Sequence, residues 1–475
     1  MDAETAFHFV GNFGRYQIFL TSFFFLANVV SGMQMVLMVI VGATPNTTIE
    51  SEMNLTTIVT DFNLYEEKWI TDLIQSLYMA GYLVGCFAFG QASDIYGRKP
   101  ILMLTGILTS IAAFCAGFAS SWQTFAVARV FVGLFIGGCG VALFVLMTEL
   151  LGKKMWAIIG MVYSCFFAMG ICLLSGISYA LLNWRTICMV TGGLTGVVLV
   201  LLCIFVPESP RWLYSTGKFE KSEKILRKLA RRNGKDQQVI HLSPPVHYSD
   251  IQTHTIVDLL RHKTLGIWLL AMVYIWFTNA FVYYGLTFDA SMLSNNLYIG
   301  LVLSGVIEIP AVLVCIYLME VKWIGRKRLL MFLSLFCGIT CIVAIFLMHI
   351  AVAKLVLGLA AKLAIAASFA MIYIYSAEIF PTPLRSVAIG TSSTFARVGA
   401  IVSPFVSLLS AKYLFTVFGV LTLLSFLVTL KLPRTLGKPI PQTIEEVVGS
   451  NPTYATVDEE NDSINCYDVD PSHAA

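Results

Sequence analysis

Charge is scarce in this chain. Of its 475 residues only 12% are Asp, Glu, Lys or Arg, while 57% are hydrophobic. Soluble domains carry about a quarter charged residues, so a soluble globular protein is excluded. Metal-ligand spacings of His and Cys are missing, as are a phosphate-binding Walker loop and a nucleophile elbow, so neither an enzyme nor a metal or other cofactor is expected. Nothing points to a nucleic-acid partner. No Cys falls between residues 42 and 69, the one sizeable polar loop near the start, and ten of the eleven cysteines lie in or beside apolar runs, with Cys466 in a polar tail. A disulfide framework is therefore not expected, and the cysteines read as small buried hydrophobes. The first apolar run, Tyr16–Thr44, is too long for a signal-peptide core and lacks a cleavage site, so it reads as a retained span.

What the chain does have is apolar length. Twelve runs are long enough to cross a bilayer as helices of about 20 residues: 16–42, 70–90, 101–120, 124–147, 156–180, 187–206, 264–287, 299–319, 329–349, 352–376, 387–411 and 413–431. The fold class is all-α, a multi-pass membrane protein. Eleven Lys and Arg residues fall in the 207–263 connection, and more at 98–99, 153–154 and 326–328. The positive-inside rule then places both termini and that connection in the cytoplasm. The loop 43–69 faces outward and carries two glycosylation sequons, at Asn46 and Asn54. Within the connection, Lys218–Arg232 reads as a basic amphipathic helix that lies on lipid headgroups, caps the bundle or remains a solvated linker. The acidic tail beyond Lys438 reads as disordered.

Between the second and third spans lies Gly90-Gln-Ala-Ser-Asp94-Ile-Tyr-Gly97-Arg98-Lys99-Pro100. Gly90 is expected to let two helix ends approach, and Gly97 to permit a left-handed turn. A second version, Lys322-Trp-Ile-Gly325-Arg326-Lys327-Arg328, recurs half a chain later. At nearly the same offset Glu149 closes the fourth span and Glu378 the tenth, while Pro207 and Pro433 follow the sixth and twelfth. These landmarks predict two six-helix pseudo-repeats. The first bundle occupies 1–206 and the second 264–431, joined by 207–263 and followed by the tail 432–475.

These residues resemble the major facilitator superfamily. Gly90…Asp94-Ile-Tyr-Gly97-Arg98-Lys99 looks like its loop between helices two and three, and Pro207-Glu-Ser-Pro-Arg-Trp-Leu213 narrows the likeness to sugar-porter and organic-ion branches. Tyr283-Tyr284-Gly285-Leu286, Ser304-Gly-Val-Ile-Glu308-Ile-Pro310 and the stretch Ala361–Pro404 together resemble solute carrier family 22, nearest its carnitine-transporter-like side. The resemblance implies the twelve-helix major facilitator fold and polyspecific transport of organic cations, anions and zwitterions. Three departures stand out. The first outside loop is short and lacks cysteine, Lys322 stands where the first hinge has Asp94, and Arg434 stands where a glutamate is expected.

A charge within a span costs at least about 2.5 kcal/mol, so it faces a cavity or a partner. Four such residues occur. Glu308, beside Pro310 in the eighth span, reads as a cavity carboxylate for a substrate's cationic group or a coupling proton, or as the structural partner of Lys362 or Arg397. Arg397 falls near the midplane of the eleventh span, where a guanidinium suits bidentate capture of a carboxylate. The resemblance adds that this position is basic in anion and carnitine carriers. Lys362 either attracts anions or snorkels to the surface. Arg129 reads as structural, at the start of a small-xxx-small face that includes Gly133 and Gly137. Aromatic lining for amine groups is sought in Trp276, Phe277, Tyr283, Tyr284, Tyr373 and Tyr375, with an amide at Asn279. Asp94, Arg98, Glu149, Arg211, Glu378 and Arg385 read as inter-helix pairs that lock the outward-open state and break when the inside opens, gating residues and not substrate ligands.

The expected function is alternating-access transport of a small organic ion across the plasma membrane. Zwitterions come first, with Glu308 and Arg397 each anchoring one end, then anions, then cations. A coupling ion, Na+ or H+, or a counter-substrate is a further candidate partner. The rivals are a sugar porter, suggested by Pro207–Leu213, and a non-transporting receptor or scaffold, suggested by the short loop and the altered charges.

Overall fold

The computed structural model describes residues 3–44, 55–235, 241–242, 255–288, 296–437, 441 and 443–448. Asn46, Asn54 and the acidic tail beyond 448 lie outside the described residues. Among the described residues there are twelve long helices, numbered here in chain order: α1 Arg15–Val41, α2 Lys68–Tyr96, α3 Arg98–Ala116, α4 Trp122–Glu149, α5 Trp156–Leu181, α6 Trp184–Phe205, α7 Lys263–Phe288, α8 Leu297–Leu318, α9 Gly325–Phe346, α10 Ala351–Ile379, α11 Arg385–Val402 and α12 Ala411–Thr429. Each coincides with one of the apolar runs. The reason is that hydrocarbon offers no partner for a backbone N–H or C=O, so an isolated span must close its own hydrogen bonds. Polar side chains set several starts: Ser121, Asn183 and Asn296 accept from backbone N–H groups in the first turns of α4, α6 and α8.

Eleven of the twelve are apolar enough to cross a membrane on length and composition. The exception is α11, where Thr391, Ser392, Ser393, Thr394 and Arg397 interrupt the apolar run. It also ends earlier than expected. The α-helix stops at Val402, and Ser403–Leu408, with Pro404 at its start, continues as a 3-10 helix.

The first hinge is shorter than its sequence suggests. Helix α2 runs through Gly90 and Asp94 to Tyr96, and a Cβ on Gly90 would meet only Val141 Cγ1, at 3.7 Å. The close approach expected at Gly90 is therefore absent. The turn falls on Gly97 alone, at φ +112°, and its counterpart Gly325 has φ +61°. Both backbones are in a region that L side chains rarely adopt. Close packing occurs instead between α2 and α4. A Cβ on Gly133 or Gly137 would collide with the carbonyls of Tyr78 and Tyr82, and one on Gly81 or Gly85 with those of Val130 and Leu134.

Buried apolar side chains form two clusters, one drawn mainly from α1–α6 and the other mainly from α7–α12. The basic helix Phe219–Arg232 buries Leu226, Leu229 and Ala230. It caps the start of α1: Arg232 lies 4.6 Å over the Tyr16 ring, and Asn233 Oδ1 accepts from Tyr16 N at 3.0 Å. Among the described residues, side-chain hydrogen bonds between α1–α6 and α7–α12 lie toward the end opposite the basic connections. Ser76 Oγ donates to Ile401 O at 2.7 Å, Ser175 Oγ to Tyr298 O at 3.0 Å, and Tyr284 OH to Met35 Sδ at 3.4 Å.

The glycine contacts generate a test. Gly133→Val forces a branched side chain into the Tyr78 carbonyl and should destabilise the purified protein by about 1–3 kcal/mol, the usual range for overpacking. Gly176, with nothing near its missing Cβ, should accept alanine without loss. Thermal melts of the two variants in detergent provide the comparison.

Candidate functional site

The polar character that makes α11 a poor membrane span places a guanidinium between the two helix sets. Arg397 is twelve residues into α11, roughly 18 Å along its axis, or near the middle of a core about 30 Å thick. Its Cζ lies 4.7 Å over the ring of Tyr82 on α2. Tyr284, Tyr373 and Cys86 are within electrostatic reach. Among the described residues no carboxylate pairs with it. The guanidinium therefore keeps its donors for something else, against a wall of phenol rings.

The acid in the same half is already matched. Glu308 Oε1 on α8 lies 2.9 Å from Lys362 Nζ on α10, and both side chains are almost wholly buried. Glu308 Oε2 accepts from Tyr283 OH at 2.9 Å. The ammonium also donates to Tyr283 O at 3.3 Å and to Thr287 Oγ1, and sits 3.4 Å from the centre of the Tyr283 ring. Of the alternatives open from sequence, Glu308 thus pairs with Lys362 and not with Arg397. Lys362 points inward and does not snorkel.

The aromatic candidates separate into two groups. Trp276 is fully buried, with Nε1 donating to Ser376 Oγ at 2.9 Å and its ring edge-on to Tyr373 at 4.4 Å. Tyr373 is 40% exposed and within electrostatic reach of Arg397. Tyr283 and Tyr284 pack edge-to-face at 5.2 Å, the first committed to Glu308 and the second to Met35. Asn279 donates to Ile275 O at 2.8 Å within its own helix, and its Oδ1 is buried without a hydrogen-bond partner. Arg129, read as structural, is fully buried. It donates to Gln34 Oε1 at 3.3 Å and Gln34 O at 2.9 Å and lies 4.3 Å over the Tyr78 ring.

At the basic end the two hinges repeat the same ion pair. Arg98 pairs with Glu149 at 3.2 Å and with Asp94 at 2.7 Å. In the second set Arg326 pairs with Glu378 at 3.2 Å and with Glu320 at 2.9 Å. Arg385 lies within electrostatic reach of Glu378 and donates to Thr382. Arg211 stacks over Phe7 and Trp156 and donates to Thr148 O at 3.0 Å. Sequence reasoning missed Glu208, whose carboxylate accepts from Lys99 N at 3.1 Å at the positive end of α3. It also missed Tyr82 and Thr287. The motif at 207–213 pointed toward Glu208, but nothing in one sequence marks out one tyrosine or threonine among many.

A profile described as sugar (and other) transporter matches residues 27–446. The solute carrier family 22 member 15-like protein of Xenopus tropicalis is 35% identical over 97% of this chain and 99% of its own length. Organic cation/carnitine transporter 2 of Homo sapiens is 34% identical over 84% of this chain and 72% of its own. Among solved structures, the proton:xylose symporter XylE bound to 6-bromo-6-deoxy-D-glucose superposes with a TM-score of 0.68 at 20% identity, covering 90% of this chain and 98% of that one. The inward open conformation of XylE from E. coli gives 0.63 at 20% identity, over 89% and 98%. The family profile and these relatives show a multi-pass membrane transporter of the major facilitator superfamily, not an enzyme, and the solved structures share its fold. The chain belongs to solute carrier family 22.

The Glu308–Lys362 pair makes a stability prediction. Glu308→Gln leaves a buried ammonium without its counter-charge and should cost about 3–5 kcal/mol. The double variant Glu308→Leu with Lys362→Met removes both charges and should recover most of that loss. A double-mutant cycle from thermal or denaturant melts measures the coupling.

Proposed function

We propose that this chain carries small carboxylate-bearing organic ions, zwitterions foremost, across the plasma membrane. Arg397 is the observation that carries the reading: an intramembrane guanidinium, near mid-depth, with no carboxylate partner among the described residues and a phenol ring beneath it. A planar five-donor fork suits a carboxylate at two points. The cationic end of a zwitterion has the part-exposed ring of Tyr373, backed by Trp276 and Phe369, for cation–π contact. Glu308, expected to hold that end, is already neutralised by Lys362. The name of the human relative supports the class, since carnitine joins a quaternary ammonium to a carboxylate.

Transport proceeds by rocking of the bundles 1–206 and 264–431 about this site. Lys and Arg counts support both termini in the cytoplasm. The cross-set hydrogen bonds then hold the outer end, and the pairs Arg98–Glu149 and Arg326–Glu378, each formed within one set and not across the two, stiffen the inner end. Asp94, Arg211 and Arg385 belong to the same gating network, and Asn46 and Asn54 are glycosylated on the outer loop.

Uptake of labelled carnitine, tetraethylammonium, an aryl carboxylate and a hexose into cells tests the reading. Saturable carnitine uptake is expected. Arg397→Asp should reduce transport of the two carboxylates by about ten- to a hundredfold, the worth of a charge-assisted hydrogen bond, and favour the ammonium. Unchanged selectivity at normal surface expression would refute the role of Arg397. Hexose flux alone would restore the sugar-porter reading, and no flux of any solute would favour a receptor or scaffold.

A further inference from the structure

The surroundings of Lys362 Nζ have the composition of a monovalent-cation site. A carboxylate oxygen (Glu308 Oε1), a main-chain carbonyl (Tyr283 O) and a hydroxyl (Thr287 Oγ1) converge on one point, with an aromatic face on a further side. Two N–H donors of the ammonium go to Tyr283 O and Thr287 Oγ1, and the Glu308 carboxylate supplies the counter-charge at 2.9 Å. The hydroxyl is correctly oriented, because Thr287 Oγ1 donates its own proton to Tyr283 O at 2.6 Å and so offers a lone pair to the ammonium. The second carboxylate oxygen is held by Tyr283 OH. The cage spans three helices, α7, α8 and α10, and is closed: Lys362 has no exposed surface.

Membrane carriers bind sodium with such sets, using carbonyls, hydroxyls and carboxylates near mid-membrane. An amine on a four-carbon stem supplies the same single charge without leaving. We propose that this cage is a monovalent-cation site permanently filled by the Lys362 ammonium, which stands in for a free cation, so that transport by this chain does not draw on sodium. The inference deepens the carrier reading by assigning its coupling, and it rests on that reading only for the transport arm of the test.

Two measurements decide it. First, purified wild type and Lys362→Ala are melted in sodium, potassium and choline chloride at equal ionic strength. Wild type should melt alike in all three. Lys362→Ala should lose stability in choline and regain it saturably in sodium or potassium, because a small cation re-enters the vacated cage. The regain should vanish in Lys362→Ala with Glu308→Gln, which removes the anionic ligand. A folded Lys362→Ala that ignores both cations overturns the proposal. Second, wild-type uptake of the labelled solute is compared in sodium and choline media. Less than about a twofold change is expected, whereas a sodium dependence of roughly tenfold, an ordinary coupling between two ligands, overturns the proposal even if the variant does not fold. Failure of all solutes to be taken up would count against the carrier reading alone, since the melts read the cage without transport.

Discussion

Hydrocarbon cannot solvate a charge, and the positions of the charged side chains follow from that constraint. Three cations within the spans, Lys362, Arg129 and Arg397, are compensated in different ways. Lys362 is enclosed by oxygens and a ring, with Glu308 supplying the opposite charge. Among the described residues Arg129 has the Gln34 amide and carbonyl and the Tyr78 face but no carboxylate, so its charge is not neutralised inside the first helix set. Arg397 has Tyr82 beneath it and its donors left over. Compensation is thus complete at the Lys362 cage and least complete between the two sets, which is where a solute of opposite charge gains most.

The same constraint separates what is rigid from what can part. Within the first set, glycines bring α2 and α4 into backbone contact, and Arg98, Glu149, Glu208 and Arg211 tie the hinge to neighbouring helices. The second set repeats the Arg–Glu pair. Across the sets the described side-chain hydrogen bonds are few and neutral, each of the kind worth about 0.5–1.5 kcal/mol net. Tight interiors joined by weak contacts at one end suit a carrier that must open and close without unfolding.

Much of this was legible in one dimension. Apolar length fixed all twelve helices, because a span is a local property of the chain, and the repeated Gly-Arg and distant Glu marked the matched hinge pairs before their geometry was known. The errors arose where a local signal was overridden. Gly90 looked like a hinge residue but lies inside α2, since nothing after it breaks the helix before Gly97. The eleventh span looked uniform to residue 411, but it tightens into a 3-10 helix at Ser403. Within the site, hydropathy singled out Arg397, Glu308 and Lys362 as costly residues, yet their pairing depended on how α7, α8 and α10 turn about their axes. Tyr82 and Thr287 carried no signal, because an uncharged residue in a span is inexpensive wherever it points.

Helix α11 also has a consequence for how the protein is made. A segment that carries an arginine near its centre and four consecutive hydroxyl residues leaves the translocon poorly by itself, since a central arginine alone opposes insertion by about 2.5 kcal/mol or more. Its acceptors are already in place when it is synthesised. Tyr82 of α2 faces its guanidinium, and its Gly399 packs so closely on Phe277 of α7 that a Cβ would lie 2.7 Å from that carbonyl. Earlier spans thus offer the late one a packed surface within lipid, and a mutation in α2 or α7 that spoils this surface is expected to lower the yield of inserted protein before it can be read as altered transport.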